Sequence, residues 1–317
     1  MPAEAPIDPL PLFVLWLIFR CKLFESQRGL ESLKYFFDPP SPFMTSSPLT
    51  YLAADPSAEL SGVYHLVLNR PQARNAISRA LLQDIVQCLA ALLRKITEPS
   101  SQNSMPRVLI LRAEGPTFCA GADLKERRQM SDNEVVQFLQ DVRQMLDEFE
   151  RLPIPTLAAI EGPALGGGLE LALACDFRIA AASVDKIGFP EVKLGIIPGA
   201  GGTQRAPRII GMQRAKELIY TGAQLDASQA KELGLIDHVS PGSSCLELCQ
   251  ALAKQMIPSA PLALRAAKMA ISMGTNVELT RGLDLEWACY EPLLESKDRR
   301  EALDAFNQKR KPIFIGK

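Results

Sequence analysis

Hydrophobic and polar positions follow two periods along the chain. VYHLVLN (63–69) alternates as a strand, and Arg70-Pro71 ends it. Ser78 then opens a predicted amphipathic helix with Leu82, Ile85, Val86, Leu89, Leu93 and Ile96 on one side. A polar stretch, Glu98 to Met105, reads as a surface loop, and RVLILRA (107–113) as a buried strand. Ser131 and Glu134 have the spacing of a capping box for a second helix, with Val135, Phe138, Val142, Met145 and Phe149 inward. PTLAAIEG (155–162) predicts a third strand feeding a glycine turn and an apolar helix, and FRIAAAS and GLIDHVS supply further short strands. Beyond Cys245 the pattern is almost wholly helical, over 245–257, 260–273, 276–290 and 298–307. Strand, loop and helix recur in turn, which defines an α/β class. The expected division is a leader or gene-model extension over 1–50, a core over 51–244 and a helical region over 245–317.

Composition narrows the function classes. The 317 residues are 47% hydrophobic and 22% charged, which excludes a disordered chain. Basic and acidic residues nearly cancel, 35 against 36, so no overall charge points to nucleic acid. The two histidines, His65 and His238, lie in apolar strand-like runs and read as structural. A Ser-His-Asp triad or a multi-histidine metal site lacks parts, and no metal is expected. The seven cysteines form no CxxC pair and suit buried thiols in a reducing compartment. In the first fifty residues the apolar run Leu10–Phe19 is about half of a membrane span, and no membrane association is expected. That stretch holds acidic as well as basic residues, unlike a transit peptide, and Met44 is an alternative start.

The candidate chemistry lies in three glycine-marked loops. Gly166, Gly167 and Gly168 precede an apolar helix, so a ligand can approach bare N–H groups at a helix start. Glu170 follows within one turn, among Leu169, Leu171 and Leu173, where an idle carboxylate would be costly. FCAGADLKE, with Ala120, Gly121 and Ala122, is by itself a tight turn; opposite the glycine turn it supplies a second N–H for an oxyanion hole. Glu191, in GFPEVKLGIIPGAGGTQR, is by itself a loop carboxylate; paired with Glu170 it completes an acid/base couple. Gly199, Gly201 and Gly202 look superficially like a phosphate loop, but no GK[ST] follows.

FCAGADLKE, AAIEGPALGGGLELALACDFRIAA, GFPEVKLGIIPGAGGTQR and KDRREALDAFNQKRKP closely resemble the enoyl-CoA hydratase/isomerase (crotonase) family over residues 60 to 317. GADLKERRQMS with GGGLELALACD is most similar to its mitochondrial enoyl-CoA hydratase and 3-methylglutaconyl-CoA hydratase branch. The resemblance implies a spiral of ββα turns with C-terminal helices that assemble a homotrimer, often doubled to a hexamer. It implies an oxyanion hole from the N–H groups of Ala122 and Gly167. Glu170 activates water in that picture, and Glu191 protonates the α-carbon.

No cofactor is implied, coenzyme A being part of the acyl-CoA thioester substrate. Its adenine region is expected against Ala120, Asp123, Leu124 and Lys125, with Arg70 and Arg74 near the phosphates. Having both glutamates favours hydration of a short-chain or branched 2-enoyl-CoA, in fatty-acid or leucine breakdown. The alternative is Δ3,Δ2-enoyl-CoA isomerisation. One relative binds AU-rich RNA through a lysine-bearing helix; here that stripe offers Arg79, Gln83 and Gln87, so nucleic-acid binding is not expected. Mitochondrial placement follows from the resemblance, with a cytosolic alternative because the leader is atypical.

Overall fold

The computed structural model describes residues 48–98 and 105–317. The apolar run Leu10–Phe19, the leader apart from its last residues, and the body of the 98–105 loop lie outside the described residues.

The chain first forms β1 (Thr50–Ala54), β2 (Val63–Leu68), α1 (Arg79–Thr97) and β3 (Val108–Ala113). Then come α2 (Leu124–Arg127), α3 (Asp132–Glu150), β4 (Thr156–Ile160), β5 (Ala164–Leu165) and α4 (Gly167–Leu173). After β6 (Phe177–Ala181) and β7 (Ile187–Gly188) lie α5 (Gly202–Ile210), α6 (Met212–Thr221), β8 (Gln224–Leu225), α7 (Ala227–Leu233) and β9 (His238–Ser240). The chain closes with α8 (Leu246–Met256), α9 (Pro261–Gly274), α10 (Leu279–Tyr290) and α11 (Lys297–Asn307).

One sheet runs β1-β2-β3-β4-β6-β9, parallel except for β1 against β2, and a smaller one runs β5-β7-β8. Successive turns place one strand in each layer before a helix returns. Thus β4 is followed by β5 and α4, while β6 is followed by β7 and then α5 and α6. Cys119, after β3, makes a single bridge to Ala164 and so occupies the small-sheet position of the preceding turn. This is the ββα spiral that the resemblance implied.

The strands are buried because helices cover the sheet: every residue of β2 and β4 is buried. Ser78 caps α1 by accepting the Leu81 N–H at 3.1 Å, and the Ser131–Glu134 capping box of α3 is formed. The fully buried stripe of α1 is Leu81, Leu82, Ile85, Leu89 and Leu92, turned slightly from the expected one, so Val86, Leu93 and Ile96 are only half-buried. The expected strand GLIDHVS shortens to His238–Ser240, because the N–H groups of Leu235 and Ile236 donate to Ala230 O at the end of α7. His65 is buried, its Nε2 2.8 Å from Asp55 Oδ2, which also accepts from Gln250 of α8. Lys268 ties α9 to the core through Asp176 and the Ile154 carbonyl. No helix among the described residues is long and apolar enough to cross a membrane.

Candidate active site

Two backbone N–H groups converge where the second and third turns of the spiral meet. Ile77 N–H donates to Gly121 O at 2.8 Å, and Asp123 N–H donates to Ile77 O at 2.9 Å. Those bonds turn the peptide groups flanking Ala122 toward Ile77, leaving the Ala122 N–H on the opposite side. Gly167 begins α4, where N–H groups lack an intrahelical acceptor. A methyl group on Gly167 would lie 3.6 Å from Ala122 N, so the two donors are neighbours. Gly121 makes the approach feasible: its φ is +91°, and a Cβ there would meet Leu165 O at 2.9 Å. Gly168 is likewise required, since its Cβ would fall 2.1 Å from Cys119 O. Such a pair of fixed donors can hold a carbonyl oxygen that gains negative charge.

Glu170 and Glu191 line the cavity that Ala122 and Gly167 also line. Glu170 is only 3% exposed, and its Oε1 accepts the N–H groups of Ala200 at 2.8 Å and Gly202 at 2.7 Å. Burial pushes its carboxyl upward, against those two donors and the Arg205 charge. Glu191 sits at the start of a 3₁₀ turn, Glu191–Leu194, with Oε2 buried and without a hydrogen-bond partner among the described residues. Burial raises it to about 7, and repulsion from the Glu170 carboxylate adds to the rise. Two carboxylates thus face one cavity in different surroundings, one held by amides and one with an oxygen free to carry a proton. Phe138, Leu139 and Val142 of α3, with Leu194 and Ile196, give the cavity an apolar wall.

The outer loop has a different character. Ala120 and Leu124 line the cavity rim, and Leu124 is 52% exposed. Asp123 caps α2 by accepting from the N–H groups of Lys125 and Glu126, and Lys125 is exposed. Arg70 Nη1 donates to Asp123 at 2.7 Å and to Ala76 O, so its charge is matched within the fold. Arg74 is exposed, adopts φ +54°, and its carbonyl accepts from Ala120 N–H.

Sequence reasoning missed two supports. Asn75, fully buried at φ +51°, accepts from Arg70 N–H and donates to the Glu114 and Thr117 carbonyls, joining the loops after β2 and β3. The other is the loop 199–202, whose glycines look only superficially like a phosphate loop. It is an anion cradle, but the anion is the chain's own Glu170.

The sequence and the fold are similar to those of known proteins. The enoyl-CoA hydratase/isomerase family matches over residues 58–317, and the chain belongs to it. An enoyl-CoA isomerase/hydratase of Mycosarcoma maydis is 80% identical over 274 residues, covering 86% of this chain and 100% of that protein. The mitochondrial methylglutaconyl-CoA hydratase of Homo sapiens is 46% identical over 263 residues, covering 81% of this chain and 75% of that protein. The crystal structure of an enoyl-CoA hydratase from Bacillus anthracis superposes with a TM-score of 0.77 at 44% identity, covering 85% of this chain and 100% of that one.

Proposed function

We propose that the protein adds water across the 2,3 double bond of a short-chain or branched 2-enoyl-CoA. The observation that carries this reading is the pair Glu170 and Glu191 facing one cavity beside the Ala122 and Gly167 N–H groups. The thioester oxygen lies between the two N–H groups, which stabilise the enolate charge that develops when C3 is attacked. Glu170, whose carboxylate is held by the Ala200 and Gly202 amides, takes a proton from water as the water oxygen bonds to C3. Glu191, poised at about 7, delivers a proton to C2 as the enolate collapses. The cycle closes when the proton left on Glu170 returns to Glu191 through solvent. Only protons and one water are transferred, so the chemistry calls for no cofactor. Ala120, Asp123, Leu124 and Lys125 border the coenzyme A portion, with Arg70 and Arg74 on the phosphate side.

Region 245–317 is assigned to assembly as a homotrimer or hexamer, supported by Ile271, Leu279, Leu283 and Trp287 left exposed on α9 and α10. Placement in mitochondria is supported by the names of the mammalian relatives, and a role in leucine or fatty-acid breakdown goes with a branched or short-chain 2-enoyl-CoA substrate. The test is the rate of hydration of crotonyl-CoA and of 3-methylglutaconyl-CoA, with a 3-enoyl-CoA run in parallel. Hydration of either 2-enoyl-CoA supports the reading; double-bond migration without hydration overturns it in favour of an isomerase.

A further inference from the structure

Arg205 lies outside the cavity wall, yet it is packed against the loop that holds Glu170. Its side chain is 11% exposed. Nη1 donates to Ala200 O at 3.1 Å, and Nη2 donates to Asp147 Oδ1 at 3.1 Å and Glu150 Oε2 at 2.7 Å, both on α3. Nε donates to the same Glu150 oxygen at 3.0 Å. A Cβ on Gly201 would fall 2.2 Å from Nη1, so the guanidinium lies directly over the residue between the two amide donors. Gly201, at φ +114°, leaves room for both. One side of the 200–202 loop therefore faces the guanidinium, and its N–H groups face Glu170 Oε1. The same helix, α3, supplies Phe138, Leu139 and Val142 to the cavity wall.

We propose that Arg205 is a positioning residue for Glu170. Its guanidinium, anchored on Asp147 and Glu150, fixes the loop whose two N–H groups orient and hold that carboxylate. The inference rests on the reading of Glu170 as the base. A planar fork with several donors suits this task, because three acceptors on two elements are met at once. The positive charge behind the loop also favours the ionised form of Glu170, opposing burial.

The test is a double-mutant cycle of Arg205→Gln and Glu170→Gln, with kcat and KM for crotonyl-CoA hydration measured across pH. Arg205→Gln is expected to lower kcat at least tenfold with KM within threefold. The acidic limb of its pH profile moves to higher pH, because Glu170 without the nearby cation ionises later. Arg205→Lys recovers part of the rate and most of the shift. In the Glu170→Gln background, Arg205→Gln costs less than threefold. The same tenfold loss in that background, or an unmoved acidic limb, overturns the positioning role. Wild-type turnover in Glu170→Gln alone overturns the reading of Glu170 as base, and the clamp with it. Where Arg205→Gln does not fold, Asp147→Asn replaces it and shows the same pattern with a smaller amplitude, or refutes it.

Discussion

Gly166→Ala tests the geometry of Glu191 without replacing a catalytic residue. Gly166 has φ +53° and ψ −122°, and a Cβ there would stand 2.6 Å from Glu191 Oε1. Ordinary contact begins at 3.4 Å, so the carboxylate retreats by about 0.8 Å or the start of α4 yields. Backbone strain of this kind costs about 1–3 kcal/mol. A displacement near 1 Å at a reacting group costs roughly 10²-fold in rate. Turnover of crotonyl-CoA, followed by loss of the conjugated thioester absorbance, is therefore expected to fall about 10²-fold in kcat, with a melting temperature lower by several degrees. Gly242→Ala is the control for strain alone: its φ is +84° with nothing within 4 Å of the added methyl. It is expected to lose stability and keep kcat. Equal kcat in Gly166→Ala and Gly242→Ala refutes the argument that Glu191 is held by the absent side chain.

Glu170→Gln and Glu191→Gln are each expected to keep the fold and lose hydration by about two orders of magnitude or more, read as kcat with circular dichroism as the fold control. The Glu191 carboxyl titrates higher in the folded protein, near 7, than in the unfolded chain, so its contribution to stability is present at low pH and lost as pH rises through about 7. Glu191→Gln should therefore gain in melting temperature over the wild type as pH climbs from below 4.5 to above 7, and an advantage confined to acid would contradict the sign. The same group, acting as acid, gives kcat/KM for the wild type a descending limb near 7. Asn75→Ala strips the Glu114 and Thr117 carbonyls of their donor and is expected to cost about 2–4 kcal/mol in urea unfolding.

Much of this molecule is legible in its sequence because its signals are local. An apolar run ended by Arg70-Pro71 marks β2, although it is buried on both faces and does not alternate, and a serine followed by a glutamate three residues on marks the start of α3. The buried Glu170 is legible too, since an acid inside an apolar helix demands a partner. What escaped depends on distant segments. That Ala200 and Gly202 cradle Glu170 requires a separation of thirty residues to close in space. No period marks Arg205 as buried, because it satisfies its charge on another helix. Asn75 is one more polar residue after a strand until its amide is seen bridging two loops. Arg70 is a further case: its internal partner Asp123 lies 53 residues on, so no local pattern announces the pair.

The most direct test of the account is the product formed from crotonyl-CoA by the purified protein, identified by mass and compared between the wild type and Glu191→Gln. The account expects the wild type to yield the 3-hydroxyacyl-CoA, heavier by one water, and the variant to yield almost none at equal protein concentration. Unchanged crotonyl-CoA with the wild type, alongside conversion of a 3-enoyl-CoA to its conjugated isomer, would contradict it.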